Sequence, residues 1–277
     1  MIAAIIAAFL NPIEIIGTKE IFKRERVNYK AFLSLTFFFI FIFCAIAFIS
    51  FGQVSASFFA PKYFLYLIAI VTVAYFSNRL FYFGLSGEKV CNVEPISMLS
   101  PVIAVVLAAM VYPDERNWKI FIIALIGGLA LSLSRIEKHH LKFDKYSWAI
   151  LAAVFLSAFD SIFAKHLLEV LSPVALYTIR CGILSLLLVA TLKPNMKVFG
   201  KKRILSIAGV SFVITLEVFG YYQAIHSIGI VKTSLVFLLA PVLVLLASRF
   251  YLKEKIKLKA VIADIVIVLC IAASIFV

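Results

Sequence analysis

Acidic side chains are scarce. Asp and Glu number 14 in 277 residues against 27 Lys and Arg, and charged residues make up only 15% of the chain. A water-soluble domain carries about 25% charged residues, so there is too little charge here to cover a soluble surface. Cysteine is sparse too: Cys44, Cys91, Cys181 and Cys270 stand singly in or beside apolar runs. That scatter excludes a disulfide framework and a Cys/His zinc ribbon, and leaves them as small core residues. No His-Glu-x-x-His occurs, which excludes a zincin-type metalloprotease. No cofactor is implied.

What the chain has in abundance is oil. Hydrophobic residues make up 64% of it and the mean hydropathy is +1.09, the composition of an all-α integral membrane protein in the cytoplasmic membrane. About 20 apolar residues cross the hydrocarbon as a helix, and apolar runs of that order lie near 1–18, 31–50, 62–84, 90–112, 118–134, 147–165, 173–192, 203–226, 229–249 and 258–277. The expected architecture is ten transmembrane helices. Barrel strands would alternate in polarity over about ten residues, and nothing here does. The first run, MIAAIIAAFLNPIEIIG, lacks the cationic start and small-x-small cleavage site of a leader peptide and is expected to be a span. Although the net charge is +13, the basic residues cluster between apolar runs, where they act as a topology signal and not as a nucleic-acid surface.

The chain repeats itself. At an offset of 140, FYFGLSGEKVCNVEPISMLSPVIAVV falls on YYQAIHSIGIVKTSLVFLLAPVLVLL, pairing Tyr82 with Tyr222, Leu99 with Leu239 and Pro101 with Pro241; Asp114 pairs with Glu254 just beyond. Near the starts of the halves the offset is 146, and Glu14 pairs with Asp160 and Lys19 with Lys165. The expected units are 1–134 and 147–277, five helices each, joined by a basic loop at 135–146. Because five is odd, the copies enter the membrane in opposite senses. Charge agrees: twenty Lys and Arg fall in or beside the turns after odd-numbered spans and five in those after even-numbered ones. By the positive-inside rule the basic turns are cytoplasmic and both termini lie outside.

Two five-helix halves, each with a small-residue turn, an apolar helix carrying a Leu-x-Pro motif and an acid opening the last hairpin, resemble the EamA-like branch of the drug/metabolite transporter superfamily. The second copy, AIHSIGIVKTSLVFLLAPVLVLLASRFYLKEKIKLKAVIAD, is the more family-like; the first departs from the pattern with two acids, Asp114 and Glu115. The resemblance implies a non-enzymatic permease in which spans 1–4 and 6–9 surround a central cavity and spans 5 and 10 lie outside it. It also implies both termini in the cytoplasm, against the charge count.

A charge at mid-bilayer costs about 2.5–3.5 kcal/mol, so ionisable residues within spans need a partner or a wet cavity. They are Glu14, Arg79, Glu94, Asp160, Arg180, Glu217 and Asp264, with Lys232 at an entrance. All but Asp264 lie on the cavity spans. Glu14 and Asp160, equivalent in the repeats, are the first candidates for substrate or proton binding; the alternative is pairing with Lys19 and Lys165. Arg79 and Glu217 are expected to form an interhelical ion pair, and Arg180 and Lys232 either meet an anionic group or snorkel. Asn11, Asn78, Tyr221 and Tyr222 join the substrate-binding or coupling set. Pro12, Pro95, Pro101 and Pro241 free backbone carbonyls and are candidate helix breaks or gates. The expected function is export of a small organic solute, an amino acid or amphiphilic cation, by proton-coupled alternating access. Phosphorylated or nucleotide-linked sugars are the alternative substrates. GLSG at 84–87, with His226, gives a distant alternative in a rhomboid-like serine protease. The partners are the solute and the lipid bilayer, and a monomer or a homodimer is compatible with fused repeats.

Overall fold

Backbone N–H and C=O groups in hydrocarbon have no water to bond, so each apolar run must satisfy them itself, and an α-helix does so within one segment. The computed structural model describes residues 1–24, 27–87, 93, 96–97, 99–116, 118–119, 122, 126, 144–194, 200–240, 243, 265–266 and 269. Among them run seven α-helices: α1 (Ile2–Arg24), α2 (Tyr29–Phe51), α3 (Pro61–Gly87), α4 (Leu99–Val111), α5 (Lys145–Leu167), α6 (Pro173–Leu192) and α7 (Lys201–Phe237). All except α4 are long and apolar enough to cross a membrane. Large apolar side chains such as Ile49, Leu65, Leu186 and Leu205 point outward, as lipid-facing positions do.

Local chemistry sets the helix ends. Asn28 Oδ1 accepts from Lys30 N at 2.9 Å and starts α2; Asp144 Oδ1 accepts from Tyr146 N and Ser147 N and starts α5. Ser172 Oγ accepts from Ala175 N, with Pro173 in the first turn of α6, where no N–H is missed. Pro12 lies inside α1, and that helix runs on past residue 18, because its polar tail continues the helix beyond the apolar run.

The expectation of ten separate helices is met only in part. Spans 118–134 and 258–277 lie outside the described residues apart from single positions. Spans 203–226 and 229–249 meet in one element, α7, which breaks at Gly229 (φ 81°). A straight helix would part Tyr221 from Phe237 by about 24 Å at 1.5 Å per residue, yet their ring centroids are 4.9 Å apart. The chain therefore folds back at Gly229 into two antiparallel limbs. A positive φ there suits glycine alone without strain.

Each helix of the first half packs mainly on one of the second: α1 on α7, α2 on α6, α3 on α5, with α4 against α5 and α7. Small residues permit the close approaches. A Cβ on Gly220 would stand 2.9 Å from Ala3 O, and one on Gly84 2.8 Å from Tyr146 O. The contacts Gly17 with Val210 and Gly220 with Ala3 make α1 and α7 antiparallel, as Gly84 with Ile150 and Tyr66 with His166 do for α3 and α5. The free cysteines Cys44 and Cys181 are buried where α2 meets α6.

These directions sort the charges. The end of α1, the starts of α2, α5 and α7 and the end of α6 share one face, which carries Lys23, Lys30, Lys145, Lys193, Lys201, Lys202 and Arg203. The opposite face holds the start of α1, the Pro113–Glu115 turn, the end of α5 and Gly229.

Candidate substrate cavity

Polar residues that recur on the inward faces of these helices line a cavity of about 330 Å³. On α1, Asn11 and Glu14 follow Ala4, Ala7 and Ala8 on the buried stripe; on α5, Ala153, Ser157 and Asp160 keep the same spacing. Ser77, Asn78 and Tyr82 come from α3, Ser100 and Pro101 from α4, Tyr177 and Arg180 from α6, and Glu217, Tyr221 and Tyr222 from α7. Phe37, Phe81 and Phe237 complete an aromatic wall.

Two polar clusters face this space. In the first, Tyr82 OH donates to Glu14 Oε1 at 2.9 Å and Asn11 Nδ2 donates to Glu217 Oε1 at 2.9 Å. The Glu14 and Glu217 carboxyl groups, from α1 and α7, are both buried and both line the cavity. In the second, Arg180 Nη1 donates to Asp160 Oδ2 at 3.0 Å and Nη2 lies 2.8 Å from Oδ1, a two-pronged ion pair. Tyr222 OH donates to Asp160 Oδ2 at 3.4 Å. A tyrosine on an acid thus occurs in both clusters, at positions equivalent in the sequence repeat. Among the described residues, three buried atoms of the cavity lining, Ser97 Oγ, Arg180 Nε and Glu217 Oε2, have no hydrogen-bond partner.

Several expectations change. Glu14 and Asp160 do not pair with Lys19 and Lys165: Lys19 Nζ donates to Leu85 O, and Lys165 Nζ lies 2.5 Å from Glu115 Oε1 and 2.9 Å from Asp114 Oδ2. Nor do Arg79 and Glu217 form an ion pair. Arg79 Nη1 donates to Tyr75 OH at 2.5 Å, because Tyr75 sits one helical turn before it on α3 and offers its ring as well. Lys232 is exposed and lines no part of the cavity. Asn11, Asn78, Tyr221, Tyr222 and Pro101 do line it. Glu94, Pro95, Pro241, Glu254 and Asp264 lie outside the described residues. The protease pairing fails on geometry: Ser86 Oγ donates to Phe83 O at the basic face, whereas His226 is one turn from Gly229 at the other.

Sequence reasoning passed over Ser77, Ser97, Ser100, Ser157 and Tyr177, since serine and tyrosine are ordinary in membrane helices. It also passed over a role for Glu115 at the other face. The Glu115 carboxylate accepts from Ile230 N (3.0 Å) and Val231 N (2.7 Å), the first free amides after the break at Gly229. Negative charge at a helix start is favourable. Its neighbour Asp114 is held below the usual carboxylate range by its hydrogen bond from Lys165. Lys165 also lies 4.1 Å from the centre of the Tyr112 ring.

Residues 145–277 match the model of the EamA-like transporter family. A solved crystal structure superposes on the chain with a TM-score of 0.76, covering 99% of this chain and 94% of the other at 13% identity, a likeness of fold. No curated protein matches the sequence.

Proposed function

Since this multi-pass membrane chain belongs, through residues 145–277, to the EamA-like transporter family, we propose that it moves a small organic solute through the central cavity by alternating access, its two halves rocking about the site. The observation that carries this reading is the cavity between the halves, with Ser97 Oγ, Arg180 Nε and Glu217 Oε2 left without hydrogen-bond partners among the described residues. Buried polar groups left unsatisfied cost about 1–3 kcal/mol each, and a solute or water entering the cavity satisfies them. The arrangement is that of a ten-helix pair of inverted repeats. In its favour, α1 and α5 run in opposite directions, as do α2 and α6, and α3 and the first limb of α7.

The closed face is the one opposite the basic residues. Glu115 from the first half there holds Lys165, Ile230 and Val231 of the second. On the same face Ser55 N donates to Val170 O, and Ser172 N to Gln53 O. With the basic face cytoplasmic, as the positive-inside rule directs, the N-terminus lies outside. A reporter active only in the cytoplasm, fused at residue 1, is expected to stay silent.

The test is flux. The purified chain in liposomes is expected to take up a labelled solute from a panel of amino acids, nucleosides, organic cations and sugar phosphates, saturably. Ala104→Trp, which fills the cavity, abolishes that uptake without loss of folded protein. Uptake unchanged by Ala104→Trp overturns the central route.

A further inference from the structure

We propose that Arg79 centres a binding site for the phosphate of an anionic phospholipid, on the outer seam between α3 and α6, in the leaflet at the basic face.

Arg79 lies in a membrane span yet lines no part of the cavity, although its neighbour Asn78 does. It continues the outward stripe of α3, where Leu65, Ile68, Thr72 and Phe76 recur at helical spacing and are all exposed. A cation on this stripe looks toward lipid, where it is costly unless it reaches the headgroups. Depth decides that. Pro61 and Pro173 open α3 and α6 at the non-basic face, and Arg79 and Thr191 each stand eighteen residues past their proline. At 1.5 Å per residue the rise is about 27 Å, against about 30 Å of hydrocarbon. With the reach of its own side chain, the guanidinium arrives among the phosphates of the basic side.

The polar groups along the seam form a chain that leads away from the arginine. Arg79 Nη1 donates to Tyr75 OH, Tyr75 OH to Thr191 Oγ1 at 2.9 Å, and Thr191 Oγ1 to Leu187 O at 2.7 Å. Every partner in that chain is neutral. The Tyr75 ring adds a cation–π contact, with its centroid 5.0 Å from Arg79 Cζ. Among the described residues no carboxylate pairs with Arg79: Asp160 holds Arg180, Glu169 meets His166, and Asp114 and Glu115 hold Lys165.

A guanidinium carries more N–H donors than one hydroxyl can accept, in a planar fork that fits two oxygens of a phosphate. Its charge and remaining donors are offered to the membrane, and a phosphodiester satisfies both. Lys193, exposed two residues past Thr191, adds a second positive charge at that end of α6. A zwitterionic headgroup brings its own ammonium against these cations, so the site selects a lipid of net negative charge. Exposed Phe76 and Leu187 lie one turn deeper and take the acyl chains. Since α3 comes from the first half of the chain and α6 from the second, the headgroup sits over a junction between the halves.

The test uses the purified full chain in an uncharged detergent, titrated with dioleoylphosphatidylglycerol, dioleoylphosphatidylcholine or inorganic phosphate and followed by native mass spectrometry and thermal melting. Phosphatidylglycerol is expected to bind saturably and raise the melting temperature; phosphatidylcholine and millimolar inorganic phosphate are expected to do neither. Arg79→Gln should weaken phosphatidylglycerol binding about tenfold. Lys201→Gln with Lys202→Gln, which removes more charge from the same face, should leave it within about twofold, because a diffuse field and not a site is what those lysines supply. A phosphatidylglycerol bearing a photoreactive diazirine near its glycerol gives a readout on the unaltered protein, so the test holds even where Arg79→Gln fails to fold. Its adducts are expected within 72–80 and 186–193. Adducts spread evenly over the helix ends of the basic face, equal binding of phosphatidylcholine, an equal loss in the double lysine variant, or no saturable binding overturns the site. Stabilisation by inorganic phosphate as strong as that by the lipid overturns the lipid assignment in favour of a free anion.

Discussion

Replacing Glu115 by Gln tests the seal at the non-basic face. Its carboxylate accepts from Ile230 N at 3.0 Å, Val231 N at 2.7 Å and Lys165 Nζ at 2.5 Å, with the side chain only 7% exposed. Glutamine keeps one acceptor oxygen and turns an NH₂ toward the remaining donors, so at least one of the three loses its acceptor. A hydrogen bond to a charged group contributes about 1.5–3 kcal/mol. The lost negative charge at the start of the second α7 limb adds about 0.3–1 kcal/mol. Asp114 still holds Lys165 at 2.9 Å, which limits the damage there. The closed arrangement should lose about 2–4 kcal/mol, and 1.4 kcal/mol is tenfold in an equilibrium constant. The assay places a reporter thiol in the cavity by Ser157→Cys and times its reaction with a membrane-impermeant maleimide added from each side. Glu115→Gln is expected to speed labelling from the Pro113–Glu115 side by tenfold or more and not from the basic side. Unchanged labelling from both sides, with a lowered melting temperature, would show Glu115 to be a static helix cap and refute the gate.

Three further outcomes follow from other contacts. Asp160→Asn or Arg180→Gln alone leaves a buried charge unpaired and should destabilise by about 3–5 kcal/mol, whereas Asp160→Leu with Arg180→Leu restores the melting temperature and still abolishes flux; a double variant no more stable than the singles contradicts the pairing. Gly229→Ala forces a Cβ into a φ of 81° and to 2.9 Å from Glu115 Oε1; strain of this kind costs about 1–3 kcal/mol, read as a lower melting temperature. Asp144 is held below the usual carboxylate range by the backbone N–H of Ser147 and then of Tyr146. Its contribution is therefore complete above that range and is lost as pH falls through the depressed value, while Asp144→Asn should keep the cap and flatten this acid limb of the melting curve.

Much of the architecture was legible because apolar run length dictates helix length in a membrane. The run 173–192 became α6, Pro173–Leu192, since Ser172 and Pro173 mark the start and the helix ends at Lys193. The break between spans 8 and 9 was readable at GIVK, because glycine tolerates a positive φ. Glu14, Asp160, Arg180 and Glu217 could be picked out by cost alone: each is an ionisable residue inside an apolar run. Their partners could not. The repeat pointed to Glu14 facing Asp160 as equivalents, and the spacing to Lys19 and Lys165. The helix packing instead gives Glu14 the Tyr82 hydroxyl and pairs Asp160 with Arg180.

The chain's composition, run lengths and internal repeat were enough to determine a helical membrane protein, the order of its spans and the residues too costly to leave in lipid, because burial in hydrocarbon penalises each residue by its own chemistry. Which acid meets which base is a different kind of quantity. It depends on the rotation and approach of α1 against α7, set by Gly220 and Ala7, and on which faces of α5 and α6 turn toward the cavity. A helix turns 100° per residue, so small differences in packing decide whether Glu217 faces Arg79 or the cavity, and only the tertiary structure holds that information.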